Sequence, residues 1–306
     1  MLQPLISIIL CTYNGEEFLE EQLQSIIHQT YKNLEIFISD DASTDGTLKI
    51  LEKYRSQHNI VINVNNVNIG FIKNFELAAL SSKGDYIAFA DQDDIWYADK
   101  IEKLYLAIGE HSLVYSDSIL IDDKGRYLKR NLSDQAKMQN IYNSKCFGFL
   151  NAVSGHTMMA KRELFKYAMP LPTGHYHDWW IAVQAANLKG VVYLNEKLTQ
   201  YRQHSKSVSK TFYSSDPGAK IYSKRYVSYL RELEWLSLIK NSPIEKEKEF
   251  SNLIFDLYTL KKKGKFVWSL FLFLIKNKKD IFMFSDKSDL SELIYMRKIA
   301  RGVKQY

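Results

Sequence analysis

Asp85-Tyr86-Ile87-Ala88-Phe89-Ala90-Asp91-Gln92-Asp93-Asp94 is an apolar, strand-like run that stops on three carboxylates within four residues. A buried strand that ends in polar residues fits a parallel sheet, whose ligands sit beyond the carboxyl ends of its strands. Two earlier segments have the same form. Leu5-Ile6-Ser7-Ile8-Ile9-Leu10 runs into Thr12-Tyr13-Asn14-Gly15-Glu16, and Leu34-Glu35-Ile36-Phe37-Ile38-Ser39 runs into Asp40-Asp41-Ala42-Ser43-Thr44-Asp45-Gly46. Between them Phe18, Leu19, Leu23, Ile26 and Ile27 fall at helical spacing. Residues 47–54 and 71–81 read as further helices, and 60–64 as a further strand. This alternation predicts an α/β fold: βαβ units around a largely parallel central sheet flanked by helices.

Beyond residue 112 the pattern loosens. Residues 113–117 and 190–194 look like strands, 182–188 look helical, and Val227, Leu230, Leu233, Leu236 and Ile239 mark an amphipathic helix. We expect a catalytic domain over 1–212 and a basic, helical C-terminal region over 213–306. The charge divides there. Residues 1–212 carry 22 Lys and Arg against 24 Asp and Glu, whereas 213–306 carry 19 against 11. The excess points the tail toward something anionic. Lys261-Lys262-Lys263-Gly264-Lys265 and Lys276-Asn277-Lys278-Lys279 bracket Phe266–Ile275, about half the roughly 20 apolar residues that a spanning helix needs. Such a stretch either lies in a membrane interface or is a buried helix between solvated lysines. Cys11 and Cys146 form no disulfide framework, Cys11 reading as a buried thiol, and no signal-peptide pattern opens the chain. The expected compartment is the cytoplasm, peripherally at the inner face of the cell membrane.

Three clustered carboxylates repel one another, and a divalent ion that also meets substrate phosphates relieves that cost. The competing reading of Asp91–Asp94 is an acidic turn capping a helix from Trp96 to Ile108. In the second cluster Ser43 or Asp45 caps the following helix, which leaves Asp41 to accept hydrogen bonds from a base or ribose. Thr12, Tyr13 and Asn14 add a hydroxyl, an aromatic face and an amide at the same sheet edge.

Taken in order, these turns, with Asn68-Ile69-Gly70, Asp91-Gln92-Asp93-Asp94-Ile95-Trp96, His177-Asp178-Trp179-Trp180 and Tyr201-Arg202-Gln203-His204, resemble family 2 glycosyltransferases of the GT-A fold, in particular the bacterial rhamnosyltransferase-like members of cell-surface polysaccharide synthesis. The resemblance spans about residues 5–210. It implies that Thr12, Tyr13, Glu16 and Asp41 hold base and ribose, with Asn14, Ser43, Asn68, Lys73 and Gln92 in the nucleotide-sugar site. Asp91 would touch ribose or metal, Asp93 would ligate Mn2+ or Mg2+, and His204 would complete the metal or phosphate site. Asp178 would be the catalytic base of an inverting displacement, made more basic by desolvation between His177 and two tryptophans. Trp96, Trp179, Trp180, His156 and His177 would line the sugar and acceptor pocket. The implied substrates are a nucleotide-diphosphate sugar, dTDP-rhamnose or a UDP-sugar, and a saccharide or lipid-linked acceptor.

Other classes fit less well. A sugar-phosphate nucleotidylyltransferase needs a basic, Gly-rich loop after the first strand, where this chain has Gly15-Glu16-Glu17. The G-x-G-x-x-G of a dinucleotide enzyme is absent there. The acidic sheet edge would repel a nucleic-acid backbone, so no nucleic-acid partner is expected. A carbohydrate-binding relative without activity would have no need of both the acidic turn and Asp178.

Overall fold

The structure, a computed structural model, describes residues 3–55, 60–204 and 223–304. The chain divides into two compact units, residues 1–134 with 153–203, and residues 135–152 with 204–306. The expected boundary at 212/213 lies outside the described residues, and the grouping of 135–152 with the tail is not visible in the sequence pattern.

The first unit opens with β1 (Ile6–Thr12), α1 (Leu19–Ile27), β2 (Leu34–Asp40), α2 (Thr47–Arg55), β3 (Ile60–Val64), α3 (Phe71–Ser81) and β4 (Tyr86–Ala90). These strands lie in the order β3-β2-β1-β4, all parallel. Ile6, Ile8, Ile9 and Leu10 of β1 are wholly buried, because a parallel sheet covered by helices has no solvent face. Register decides what meets at the edge. Thr12 pairs with Asp40 and Leu10 with Ala90, so the three polar turns leave the sheet at nearly the same level.

The sheet continues through β5 (Ile95–Trp96), β6 (Leu113–Ile121), β7 (Tyr127–Asn131), β8 (Met158–Lys161) and β9 (Val191–Arg202). Here the pairing is mixed: β8 runs antiparallel between β4 and β6, while β9 runs parallel to β6. The helices are α4 (Lys100–Ile108), α5 (Phe165–Ala168) and α6 (His177–Leu188).

Several expectations are corrected. No helix starts at Trp96. Ile95 and Trp96 pair with Gln200 and Thr199 as a short strand, and Trp96 N donates to Ser25 Oγ, so tertiary partners override the helical pattern. The acidic turn therefore does not cap α4, whose N-cap is Asp99. α6 begins at His177 rather than Ala182, which puts Asp178 in its first turn. Cys11 is only half-buried, since β1 leaves the core there, whereas Cys146 is buried.

In the second unit, helices Lys224–Asn241, Lys248–Thr259, Trp268–Lys276 and Asp289–Ala300 enclose a core that includes Leu236, Ile254, Tyr258, Leu270, Leu274 and Met296. Residues 135–152 are tied in by polar bonds: Trp235 Nε1 donates to Phe147 O at 2.7 Å, and Ser144 Oγ to Glu245 Oε1 at 2.7 Å. Among the described residues no helix is long and apolar enough to cross a membrane.

Candidate functional site

The turns after β1 and β2 are laced together by their own polar groups. Asn14, at φ 47°, donates its N–H to Ser43 Oγ at 2.9 Å and accepts from Thr44 N at 2.8 Å. Glu16 N donates to Asp45 Oδ2 at 3.1 Å, and Glu16 Oε2 accepts from Gly46 N at 2.5 Å. Thr12 Oγ1 and Ser43 Oγ both donate to Asp40 Oδ2, at 2.8 and 2.6 Å. Thr12, Asn14, Glu16 and Ser43, all expected in a nucleotide site, are thus also the struts of the edge. Gln92 joins the third turn to the first, its Oε1 accepting from Tyr13 N at 2.9 Å and its Nε2 donating to Tyr13 O at 3.1 Å. A Cβ on Gly15 would lie 2.3 Å from Gln92 Oε1, so a larger residue there would push the Gln92 amide away from Tyr13. What the lacing leaves outward is the Tyr13 ring, 47% exposed.

Asp41 is buried and serves the next loop. Its carboxylate accepts from Asn65 Nδ2, Ile69 N and Gly70 N, each at 2.9 Å. Of about four lone-pair sites on a carboxylate, one remains. Asn68 Oδ1 accepts from Gly70 N at 3.2 Å within the same loop, and Lys73 pairs with Glu76 on α3.

At the acidic turn, Asp91, Asp94 and His156 bring one ligand atom each to within 4.8 Å of one another. His156 comes from the short 3-10 turn Gly155–Thr157 before β8, which sheet topology sets beside β4. It is buried, stacked on Tyr201 at 4.2 Å between ring centroids, and its Nε2 lies 3.1 Å from Ser118 Oγ. Burial, and then the charge of Lys100, hold its pKa well below the usual value, so the ring is neutral and fit to be a ligand. Burial likewise raises Asp91 and Asp94; Asp93 adds to both, and Asp178 adds to Asp91. Asp94 Oδ1 accepts from Arg202 N at 3.0 Å, while its buried Oδ2 has no hydrogen-bond partner. A buried, orphaned carboxylate oxygen beside a second carboxylate and a neutral imidazole is a donor set that suits a divalent cation. Asp91 was expected here. Asp93 lies outside the convergent trio, and His156 was expected on the acceptor side. His204 follows β9 as the last residue described before 223 and is half-buried.

Two buried basic side chains brace the turn, and burial lowers the pKa of the Lys100 ammonium to about 7. Lys100 Nζ donates to His156 O at 2.5 Å and Thr199 Oγ1 at 2.7 Å, and lies 3.8 Å above the Trp96 ring. Arg202 donates from Nε to Asp93 O at 2.8 Å and from a terminal nitrogen to Glu21 Oε2 at 2.5 Å. Sequence reading missed both as parts of the site. Lys100 looks like any lysine in a helix, and nothing in Tyr201-Arg202-Gln203-His204 marks Arg202 as a brace for a turn more than 100 residues earlier.

Asp178 accepts from Gly155 N at 3.0 Å and from Trp179 N at 2.6 Å. Burial pushes its pKa up to about 6 against these stabilising bonds, and its charge is felt at Asp91. Three of the expected pocket walls are buried. His177 is buried against Phe75, 4.5 Å between centroids, and Phe89, and is pushed down to about 4 by burial. Trp180 is buried with Nε1 donating to Ala168 O at 2.9 Å, and Trp96 is buried over Lys100. Trp179 is half-buried.

The mainly parallel half of the sheet thus carries at its carboxyl edge an aromatic platform and an acidic turn, with the half-buried Asp178 bonded to Gly155 beside His156. Solved structures agree on the fold. S. aureus TarS 1-349 in complex with UDP-GlcNAc matches with a TM-score of 0.62 at 19% identity, over 96% of this chain and 88% of that one. The mannosyltransferase PcManGT from Pyrobaculum calidifontis, in complex with GDP-Man and Mn2+, matches with a TM-score of 0.56 at 15% identity, over 98% and 86%. In sequence, the dTDP-rhamnosyl transferase RfbG of Shigella flexneri is 33% identical over 255 residues, 78% of this chain and 81% of that protein. The profile described as glycosyl transferase family 2 matches residues 7–168. The chain belongs to glycosyltransferase family 2 and is a transferase enzyme.

Proposed function

We propose that the chain is an inverting, metal-dependent glycosyltransferase that moves L-rhamnose from dTDP-L-rhamnose onto a saccharide or lipid-linked saccharide, working at the cytoplasmic face of a membrane in cell-surface polysaccharide synthesis. The observation that carries the reaction type is Asp178, a half-buried carboxyl whose pKa desolvation pushes up to about 6 and whose charge reaches the acidic turn at Asp91. The 33% identity to a dTDP-rhamnosyl transferase supports the donor. Thymine and uracil differ by one methyl group, so a UDP-hexose or UDP-N-acetylhexosamine is the second reading of the same platform.

Tyr13 offers its exposed ring to the base, and the remaining acceptor site of Asp41 can take a donor group of base or ribose. Asp91, Asp94 and His156 would hold Mn2+ or Mg2+, which when bound offsets the charge of the departing nucleoside diphosphate. Asp93, beside them, adds negative charge that favours a cation. Asp178 takes the proton of the acceptor hydroxyl as that oxygen forms its bond to the anomeric carbon and the bond to phosphate breaks. One displacement inverts the centre. NMR of the product is therefore expected to give an anomeric configuration opposite to that of the donor; a retained configuration would remove the single-displacement reading.

A further inference from the structure

We propose that the solvent face of helix Trp268–Lys276, with the lysines on either side of it, docks on an anionic lipid surface. The proposal rests on the reading above that the chain works at a membrane, and it adds which residues meet the lipid and what charge the lipid carries.

The helix is amphipathic in an inverted sense. Leu270 and Leu274 are wholly buried in the core of the second unit. On the opposite side Trp268 is 66% exposed, Leu272 61% and Ile275 40%. At about 100° per residue, positions 268, 272, 275 and 276 fall within an arc of about 100°, so Trp268, Leu272 and Ile275 form one apolar stripe with Lys276 at its margin. Single exposed apolar residues are ordinary; a tryptophan and two aliphatic residues aligned on one helix face are not.

Charge selects the occupant. Lys262, Lys263 and Lys265 are exposed just before the stripe, and Lys276 and Lys279 just after it. Among the described residues none of these five takes part in an ion pair, whereas the nearby carboxylates are mostly engaged: Asp280 with Lys145, and Asp289 and Glu292 with Lys278. Asp286 is exposed. A neighbouring helix has the same character. On Asp289–Ala300, Leu290, Leu293 and Ile294 are exposed at helical spacing, followed on that face by Arg297 and Lys298.

A stripe with unpaired lysines around it fits the boundary between phospholipid headgroups and acyl chains. The tryptophan sits at the polar boundary, the aliphatic residues enter the hydrocarbon, and lysine stems reach back to phosphate. Nine residues rise about 13 Å, which is too short to cross about 30 Å of hydrocarbon but suited to lying in its surface. A second copy of the chain is the poorer occupant, because a two-fold contact would set these lysines against one another.

The test uses the full chain without any donor sugar, so its outcome is independent of the transfer reaction. Sedimentation with phosphatidylglycerol–phosphatidylethanolamine vesicles is compared with phosphatidylcholine vesicles. Binding is expected only to the anionic set, to weaken with salt, and to fall on the order of 100-fold in K262A/K263A/K265A, at about 1 kcal/mol per basic residue. Brominated phosphatidylglycerol is expected to quench the fluorescence of the wild type, and to lose most of that quenching in Trp268→Phe. Leu272→Ser, a surface change that leaves the buried face intact, is expected to weaken binding as well. Equal binding to both vesicle types, or anionic binding unchanged in all three variants, overturns the proposal. So does lipid-free self-association that disappears in Leu272→Ser, which would make a second copy the occupant.

Discussion

Asp178→Asn is expected to lower the rate of sugar transfer by about 100- to 10,000-fold, the range a positioned general base contributes, while nucleotide binding is retained. Asn keeps the size of the side chain and one of the two oxygens that accept from Gly155 N and Trp179 N, at 3.0 and 2.6 Å. What it loses is the capacity to take a proton. The wild-type pH profile checks the same point. The base must be ionised, and burial holds Asp178 at about 6, so kcat/KM is expected to be level above that pH and to fall about tenfold per unit below it. An acid limb near the ordinary aspartate value of about 4 would mean that a solvated group, not Asp178, accepts the proton. Calorimetry with the nucleoside diphosphate separates loss of the base from misfolding.

The second large effect is expected at the acidic turn. Asp91→Asn is predicted to weaken Mn2+-dependent nucleotide binding by more than about 100-fold, since loss of an outer-shell partner alone costs about 10- to 100-fold. The reasoning is electrostatic. Burial and the neighbouring charges of Asp93 and Asp178 push Asp91 up to about 7, so in the absence of a cation it holds its proton toward neutral pH, and burial shifts Asp94 in the same direction. A cation displaces the Asp91 proton, and its affinity must therefore rise with pH through the neutral range. His156 adds no such dependence, because its lowered pKa leaves it neutral there. Mn2+ titration followed by electron paramagnetic resonance at pH 6 and pH 8 reads both effects. Affinity that is the same in Asp91→Asn, or flat with pH, would place the ion elsewhere.

The first four strands and the polar turns behind them were legible because each carries its own punctuation. β1 stops at Thr12, β2 at Asp40 and β4 at Ala90, each where an apolar run meets a polar cluster. Parallel pairing then brings the turns to one edge, as strand order predicts for βαβ units. The second half of the sheet gave no such signal. β8 is four residues long and β5 two, and both exist because a neighbouring strand supplies partners that local sequence cannot announce. The same limit explains the site. His156 reaches Asp91 and Asp94 only because β8 inserts beside β4, a contact between residues more than 60 positions apart. Lys100 was unreadable for the same reason, since its partners His156 O and Thr199 Oγ1 come from two other elements. How deeply aromatic residues are set was equally hidden: His177, Trp180 and Trp96 have the chemistry of a sugar pocket and are all buried, because their large apolar surface favours it.

Calorimetric binding of a donor panel with and without Mn2+ probes the metal-assisted nucleotide-sugar site at the carboxyl edge of the sheet. The panel is dTDP-rhamnose, UDP-glucose, UDP-galactose, UDP-N-acetylglucosamine and GDP-mannose, titrated into the wild type and Asp94→Ala. One tight binder is expected, dTDP-rhamnose, whose affinity depends on Mn2+ and collapses in the variant. Equal binding with and without the ion, or no binding by any nucleotide sugar, would contradict that expectation.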